Sequence, residues 1–354
     1  MSTDRDTVVV EAAGPGPRRA PGPALGPVPG PVLALVLALV LTGCGSSGTG
    51  STPAAPAPAG PSSAGPSAEP SSAAPESPTG TSTTGPPDDA APSPAATRLP
   101  TDLRGLVWFA GRRARTDELL LFAERSSFAG RRDLLAAARA ATVGAPADPD
   151  HRTLWRGGAP VSVRLWWDGD EGYYDVGLPD VRSTRRPPGT SMREAHLAIQ
   201  QVVWTLQSVG GTVAPVRFHV GRRGDPVTDV FGIPATGPGD TYLAADGAGV
   251  LSAVDVLAPA EGASVRGRVV VSGLAESFEA TVGIRVVAPS GEVVLEDGTS
   301  AEQCCGRLWP WRYEIDTTGW SPGTYVVEAA TDDPVGIANG SDGPEIDTRT
   351  ITVG

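Results

Sequence analysis

The sequence predicts an α+β protein in which a small mixed layer of strands and helices is followed by an all-β sandwich. Three observations predict it. Between residues 99 and 235, strand-like alternation is interrupted twice by helical periodicity. From about residue 250 onward, short strand patterns recur between turn residues and no helical period competes. Between residues 45 and 97, the chain has almost nothing with which to build a core.

Residues 32–41 are purely aliphatic. As a helix they would span roughly 15 Å at 1.5 Å per residue, about half of a bilayer core. That length suits the apolar region of a signal peptide, with Arg18 and Arg19 as the positive stretch upstream. Leu41-Thr42-Gly43-Cys44 resembles the bacterial lipobox. The resemblance implies that residues 1–43 are a lipoprotein signal peptide. Cys44 would then carry a diacylglyceryl group on its thiol as the first residue of the mature chain. Two or three acyl chains anchor durably where one holds only marginally. The expected location is therefore the extracytoplasmic face of the cell membrane, with the membrane itself as partner through the lipid.

Residues 44–98 read as a disordered tether. From Gly45 to Thr97 the chain is almost entirely Ser, Thr, Ala, Gly and Pro, with no aromatic residue. Such a segment cannot bury enough apolar surface to offset chain entropy. As a flexible coil it would reach on the order of 40 Å, enough to lift folded modules away from lipid headgroups. The formal net charge of the chain is -12 and it contains no lysine. That balance argues against nucleic acid as a partner and against adsorption to anionic lipid.

Residues 99–235 form the first predicted module. Residues 106–110 and 119–122 read as paired strands, and residues 131–143 as an Ala- and Leu-rich helix ending before Gly144 and Pro146. Residues 161–167 and 173–176 flank an Asp168-Gly169-Asp170-Glu171-Gly172 turn, which predicts a hairpin. Ser191 with Glu194 three residues on is a capping box, opening a long helix whose apolar face carries Ala195, Ile199, Val202, Val203 and Leu206. Residues 216–220 alternate as a last strand. The helix segment Ile199-Gln200-Gln201-Val202-Val203-Trp204-Thr205-Leu206, followed by Val209-Gly210-Gly211 and a strand, resembles the GerMN domain of sporulation and spore-germination proteins. The hairpin from Pro160 to Val176 fits that resemblance. Two features depart from it: the degraded Ala141-Thr142-Val143-Gly144-Ala145-Pro146 signature, and a basic, proline-rich insert at residues 182–189.

Residues 250–354 predict seven strands at sandwich spacing: 254–257, 268–273, 282–287, 292–295, 311–315, 324–329 and 348–353. Pro259, Ser290-Gly291, Asp297-Gly298 and Pro322-Gly323 serve as turns. Val271-Ser272-Gly273-Leu274-Ala275-Glu276-Ser277-Phe278-Glu279-Ala280 resembles the immunoglobulin-like domain of bacterial spore germination. The two resemblances stand in the order in which those domains occur together. The segment between them, about 236–250, is turn-rich and suggests that each half folds when expressed alone.

Chemistry-bearing motifs are sparse. The sequence holds no Gly-x-Ser-x-Gly and no His-Glu-x-x-His. His151, His196 and His219 are scattered, which suits structural or surface roles. The acidic hairpin turn suggests calcium superficially and a solvated turn more simply. Once Cys44 carries lipid, Cys304 and Cys305 are the only thiols left. Outside the membrane they would tend to oxidise, which favours a disulfide between them; free or intermolecular thiols, and a metal or redox role, are the alternatives. Without further Cys or His nearby they make a poor zinc site. Trp309, Trp311 and Tyr313 share one strand face, either as core or as an aromatic platform for a wall glycan or a partner. Trp166 and Trp167 must point to opposite faces.

These readings converge on a non-catalytic envelope module, without cofactor or metal, that binds or scaffolds cell-wall polymer or another envelope protein. The alternatives are a regulatory lipoprotein acting on a membrane sensor and a cell-wall hydrolase. A cleft holding paired carboxylates of raised pKa would favour the last.

Overall fold

Two apolar runs open the folded part. Leu106–Arg112 (β1) and Leu119–Arg125 (β2) pair antiparallel, with Leu106 opposite Arg125 and Arg112 opposite Leu119. The computed structural model describes residues 97–168 and 171–354. Strand β1 does not alternate in burial because both of its faces are covered. Val107 and Phe109 pack with Ala141 of the helix Leu134–Val143 (α1). Trp108, on the other face, meets the helix Met192–Gly210 (α2). Its backbone amide donates to Thr205 Oγ1 at 3.1 Å and its indole N–H to Ser208 Oγ at 3.1 Å.

Ser162–Asp168 (β3) and Glu171–Leu178 (β4) form the expected hairpin. Its Gly169-Asp170 tip lies outside the described residues. Val216–Val220 (β5) lies parallel to β4, with Tyr174 beside Val216 and Leu178 beside Val220. Parallel neighbours need a long crossover, and α2 supplies it. Ser191 Oγ accepts from the Glu194 amide at 3.1 Å while Glu194 accepts from the Ser191 amide at 3.0 Å, so the capping box forms. At the other end Gly211 takes the left-handed conformation, φ 70°, that closes the helix.

The second half is a sandwich of two sheets. Val254–Ala258 (β6), Ala263–Val265 (β7), Arg268–Ala275 (β8), Thr281–Val287 (β9), Val293–Ser300 (β10), Trp309–Asp316 (β11), Gly323–Thr331 (β12) and Ile346–Val353 (β13) succeed one another along the chain. One sheet runs β6-β8-β11 and the other β7-β13-β12-β9-β10. Val271, Ile284, Val286, Trp311, Ile315, Val327 and Ile351 fill the space between them. Gly273 of the family-like motif is required by packing: a Cβ there would stand 1.7 Å from the Asp255 carbonyl oxygen. Two details differ from the sequence reading. Asp297-Gly298, expected as a turn, lies inside β10, where Gly298 faces Gly283; pairing with the neighbouring strand overrides the local turn preference. Strand β7 is a short parallel edge pairing that carries no periodic signal of its own.

The described residues all belong to one compact unit. Leu257, Leu274 and Leu308 of the sandwich join the same buried cluster as Leu106, Trp108 and Leu121. The intervening segment is packed as well: Tyr242 is buried and exchanges backbone hydrogen bonds with Val216 at 2.7 and 2.9 Å. No described helix is long and apolar enough to cross a membrane.

Candidate functional site

The densest group of buried charge lies where β2 and the loop after α1 meet strands β6 and β13. Alternation along β13 turns Asp347 and Arg349 inward, in line with Ile351 and Val353. Arg349 Nη1 donates to Asp148 Oδ2 at 2.9 Å, and both side chains are almost fully buried. Glu261 stands 3.9 Å from the same guanidinium. Asp347 accepts from the Val256 amide at 2.6 Å and the Thr348 amide at 2.9 Å. His151 stacks on Phe122, places Nδ1 3.0 Å from Glu124 Oε1, and has Nε2 3.9 Å from Asp347. Asp255, fully buried on β6, accepts from the Ala123 amide at 2.9 Å. At the rim, Glu345 pairs with Arg113 at 2.7 Å and accepts from the Ala253 amide.

Burial sets the protonation of this seam. It pushes the Asp347 carboxyl up to about 6, against the pull of His151 and Arg349. It raises Asp148 as well. Asp255 goes well above the usual carboxylate range through burial and the nearby Asp347. Glu124 is the exception: burial would raise it, but hydrogen bonds from His151 and the Ala147 and Asp148 amides outweigh burial and hold it low. Asp148, His151 and Asp347 offer ligand atoms within 4.8 Å of one another. The arginine at 2.9 Å from Asp148 already supplies the positive charge there, so the chemistry fits an ion-paired junction better than a metal centre.

Two clefts are lined by residues of both modules. One, of about 430 Å³, is lined by residues including Arg112, Phe122, His151, Arg152, Asp347 and Thr348. The other, of about 470 Å³, includes Asp102, Arg125, Ser272, Glu302 and Arg312.

The residues singled out from sequence fall elsewhere. Cys44 and the tether lie outside the described residues. Cys304 and Cys305 are both exposed with free thiols. Cys305 and Gly306 are consecutively left-handed, at φ 66° and 78°, and the Trp309 indole N–H donates to the Cys305 carbonyl at 3.2 Å. Trp309, Trp311 and Tyr313 do share a face, and it is the face that packs inward. Trp311 is 3% exposed in the sandwich core, with Trp309 and Tyr313 half-buried against it. Trp311 is therefore a core residue that shows only a sliver of surface, at the second cleft. Trp309 is covered by the Arg307 guanidinium 3.4 Å from its ring centre, and Tyr313 donates to Asp297 at 2.6 Å. Trp167 is the exposed member of its pair. His219 is buried against Asp175 at 3.2 Å. Missed from sequence is the junction itself, since its partners lie far apart: 201 residues separate Asp148 from Arg349. The inward position of two charges in the β13 alternation was the available signal.

Residues 253–338 match the immunoglobulin-like domain of bacterial spore germination. No curated protein sequence matches the chain. Among solved structures, CopC from Methylosinus trichosporium OB3b is similar at 18% identity and TM-score 0.20, covering 28% of this chain and 92% of that one. An engineered protein is similar at 18% identity and TM-score 0.23, over 45% of this chain and 36% of that one. T. fusca AA10A is similar at 9% identity and TM-score 0.19, over 27% and 53%. The similarity to spore-germination-type proteins thus lies within the sandwich, over residues 253–338.

Proposed function

We propose that this protein is a lipid-anchored, extracytoplasmic, non-catalytic module of the cell envelope that binds or scaffolds cell-wall polymer or another envelope protein. The observation that carries this reading is the spore-germination family match over residues 253–338. It is supported by the lipobox-like Leu41-Thr42-Gly43-Cys44 upstream and by the GerMN-like helix and strand order of the first module. The junction between the modules adds a physical argument. Ionic and apolar contacts hold the two as one body, which suits presentation of a fixed surface. A regulatory role toward a membrane sensor would use the same body with a different partner.

A hydrolase reading has one observation on its side: Asp347, with its raised pKa, borders a cleft. Its two oxygens are engaged by the Val256 and Thr348 amides, and those of Asp148 by the Asp150 amide and Arg349. Each of these four oxygens is held by a structural partner, which favours support of the junction over the mobile proton transfer an acid or base performs.

The test is twofold. Substituting Cys44→Ala should release the protein from the detergent phase into soluble fractions; retention would mean a different anchor. The full chain should capture a component from purified wall or membrane extract. Turnover of wall polymer, abolished by Asp347→Asn, would overturn the non-catalytic reading.

A further inference from the structure

The charge of the chain is unevenly placed. Residues 251–354 hold six arginines against sixteen acids, a net -10, whereas residues 98–250 hold nineteen arginines against seventeen acids. Within the first half, arginines gather at one end of the parallel pair β4 and β5. Both strands finish there, at Leu178 and Val220, which are register partners. The segments that leave them carry Arg182, Arg185 and Arg186 on one side and Arg222 and Arg223 on the other, and all five are exposed. The ion pairs among the described residues of this module engage other arginines, such as Arg112, Arg113, Arg152, Arg193 and Arg217.

The backbone beneath this group is held in place. Asp180 caps the short turn by accepting from the Arg182 and Ser183 amides. The Phe231 amide donates to the Thr184 carbonyl at 2.7 Å, and the Gly221 amide to the Leu178 carbonyl at 2.7 Å, tying the two segments to one edge. Pro187 and Pro188 stiffen the chain beyond Arg186. Three acids share the neighbourhood. Asp180 and Asp229 are turned to backbone amides, at Arg182 and Gly232, and Asp225 is exposed beside Arg223. The arginines keep the excess.

We propose that Arg182, Arg185, Arg186, Arg222 and Arg223 form a docking surface for a phosphodiester-linked anionic polymer of the cell wall. This rests on the extracytoplasmic reading above and names its ligand class. Guanidinium forks match phosphate oxygens bidentately, and several on a fixed backbone engage successive phosphates with little ordering cost. A flat anionic bilayer carries the same phosphate chemistry but faces the whole molecule, and the sandwich's -10 charge opposes it. A single polymer strand can lie on the patch alone, since charge beyond about 8 Å is screened at physiological salt.

The experiment compares the full chain with R182Q/R185Q/R186Q and R222Q/R223Q, and with Arg266→Gln, an exposed sandwich residue outside both clefts, as control. The probes are poly(glycerol phosphate), neutral dextran, and vesicles of equimolar phosphatidylglycerol and phosphatidylcholine. The parent should bind poly(glycerol phosphate) with affinity that falls linearly in log salt, and should ignore dextran. The triple variant should weaken binding by roughly 100-fold, about fivefold per arginine, and flatten the salt slope. The Arg266→Gln chain should bind like the parent. The anchor is common to all chains, so in the vesicle arm only the difference between parent and variants reads the patch. Circular dichroism of each variant separates lost binding from lost fold. Equal binding by folded parent and triple variant would overturn the proposal, as would an arginine-dependent preference for vesicles over polymer. If extract capture by the full chain persists in the folded variants, this surface is wrong and the envelope-binding reading stands; if the parent captures nothing, that reading falls too.

Discussion

Asp255 gives one carboxylate oxygen to the Ala123 amide, and the other has no partner. Burial raises its pKa far above the unfolded value, so the folded chain holds a proton that the unfolded chain releases earlier. Stability from this group is fully present below the unfolded carboxylate range and is lost as pH rises toward the folded pKa. Asp347 acts with the same sign, its contribution lost as pH rises through about 6. Asp255→Asn keeps the acceptor and cannot ionise. It should raise the Tm at neutral pH and flatten the dependence between acidic and neutral pH. Asp255→Ala orphans the Ala123 amide and should cost about 1–3 kcal/mol. Urea melts of both variants at acidic and neutral pH check this; an Asn variant less stable than the parent at neutral pH would refute it. Arg349 makes the opposite case. Arg349→Met leaves Asp148 and Asp347 buried without their cation and should cost about 3–5 kcal/mol. Adding Asp148→Leu should recover part of that loss, and a double mutant no more stable than the single one would contradict the pairing.

Helix α2 is the element the sequence defines most clearly, because its signals are local: a capping box at Ser191 and Glu194, a 3.6-residue apolar period, and Gly211 at the end. Ser191→Ala should cost about 1 kcal/mol, read as a lower Tm with the fold unchanged. The sandwich strands are legible by alternation in the same way. Asp297-Gly298 misleads because glycine and aspartate signal turns wherever neighbouring strands are unknown, and here a facing strand absorbs them. The Cys304-Cys305 loop belongs to this scale. Both thiols are free in the structure, whereas the sequence favours a bond between them if Cys44 carries lipid as proposed. Their exposure lets an oxidising environment join them, and the left-handed Cys305 and Gly306 give that turn an unusual backbone. Intact mass of the protein purified without reductant, compared with the reduced and alkylated chain, should show one intramolecular disulfide. Its loss should leave Tm nearly unchanged, since the ring closes almost no chain. Two freely alkylated thiols before reduction would exclude it.

At the scale of the molecule, the sequence suggests two halves joined by a tolerant segment, and the packing argues for one cooperative unit. Turn residues at 236–240 look like a linker because nothing local reveals that Tyr242 will pair with β5 and donate to the Ile233 carbonyl at 2.9 Å. Nor does either half alone reveal that Leu257, Leu274 and Leu308 complete a core shared with Trp108 and Leu121. Separating the halves would uncover those leucines, each worth about 1.5–3 kcal/mol when fully buried. It would also strip Arg349 from Asp148 and Arg307 from Asp102. That sum is comparable to the whole stability of an ordinary domain. Calorimetry of the full chain should therefore show a single transition, with the calorimetric and van't Hoff enthalpies close to equal. Residues 99–235 and 250–354 expressed separately should melt well below the intact chain or fail to fold, and mixing them should restore part of the lost stability. Two resolved transitions, or two isolated halves each as stable as the parent, would show that the junction couples the modules too weakly to matter.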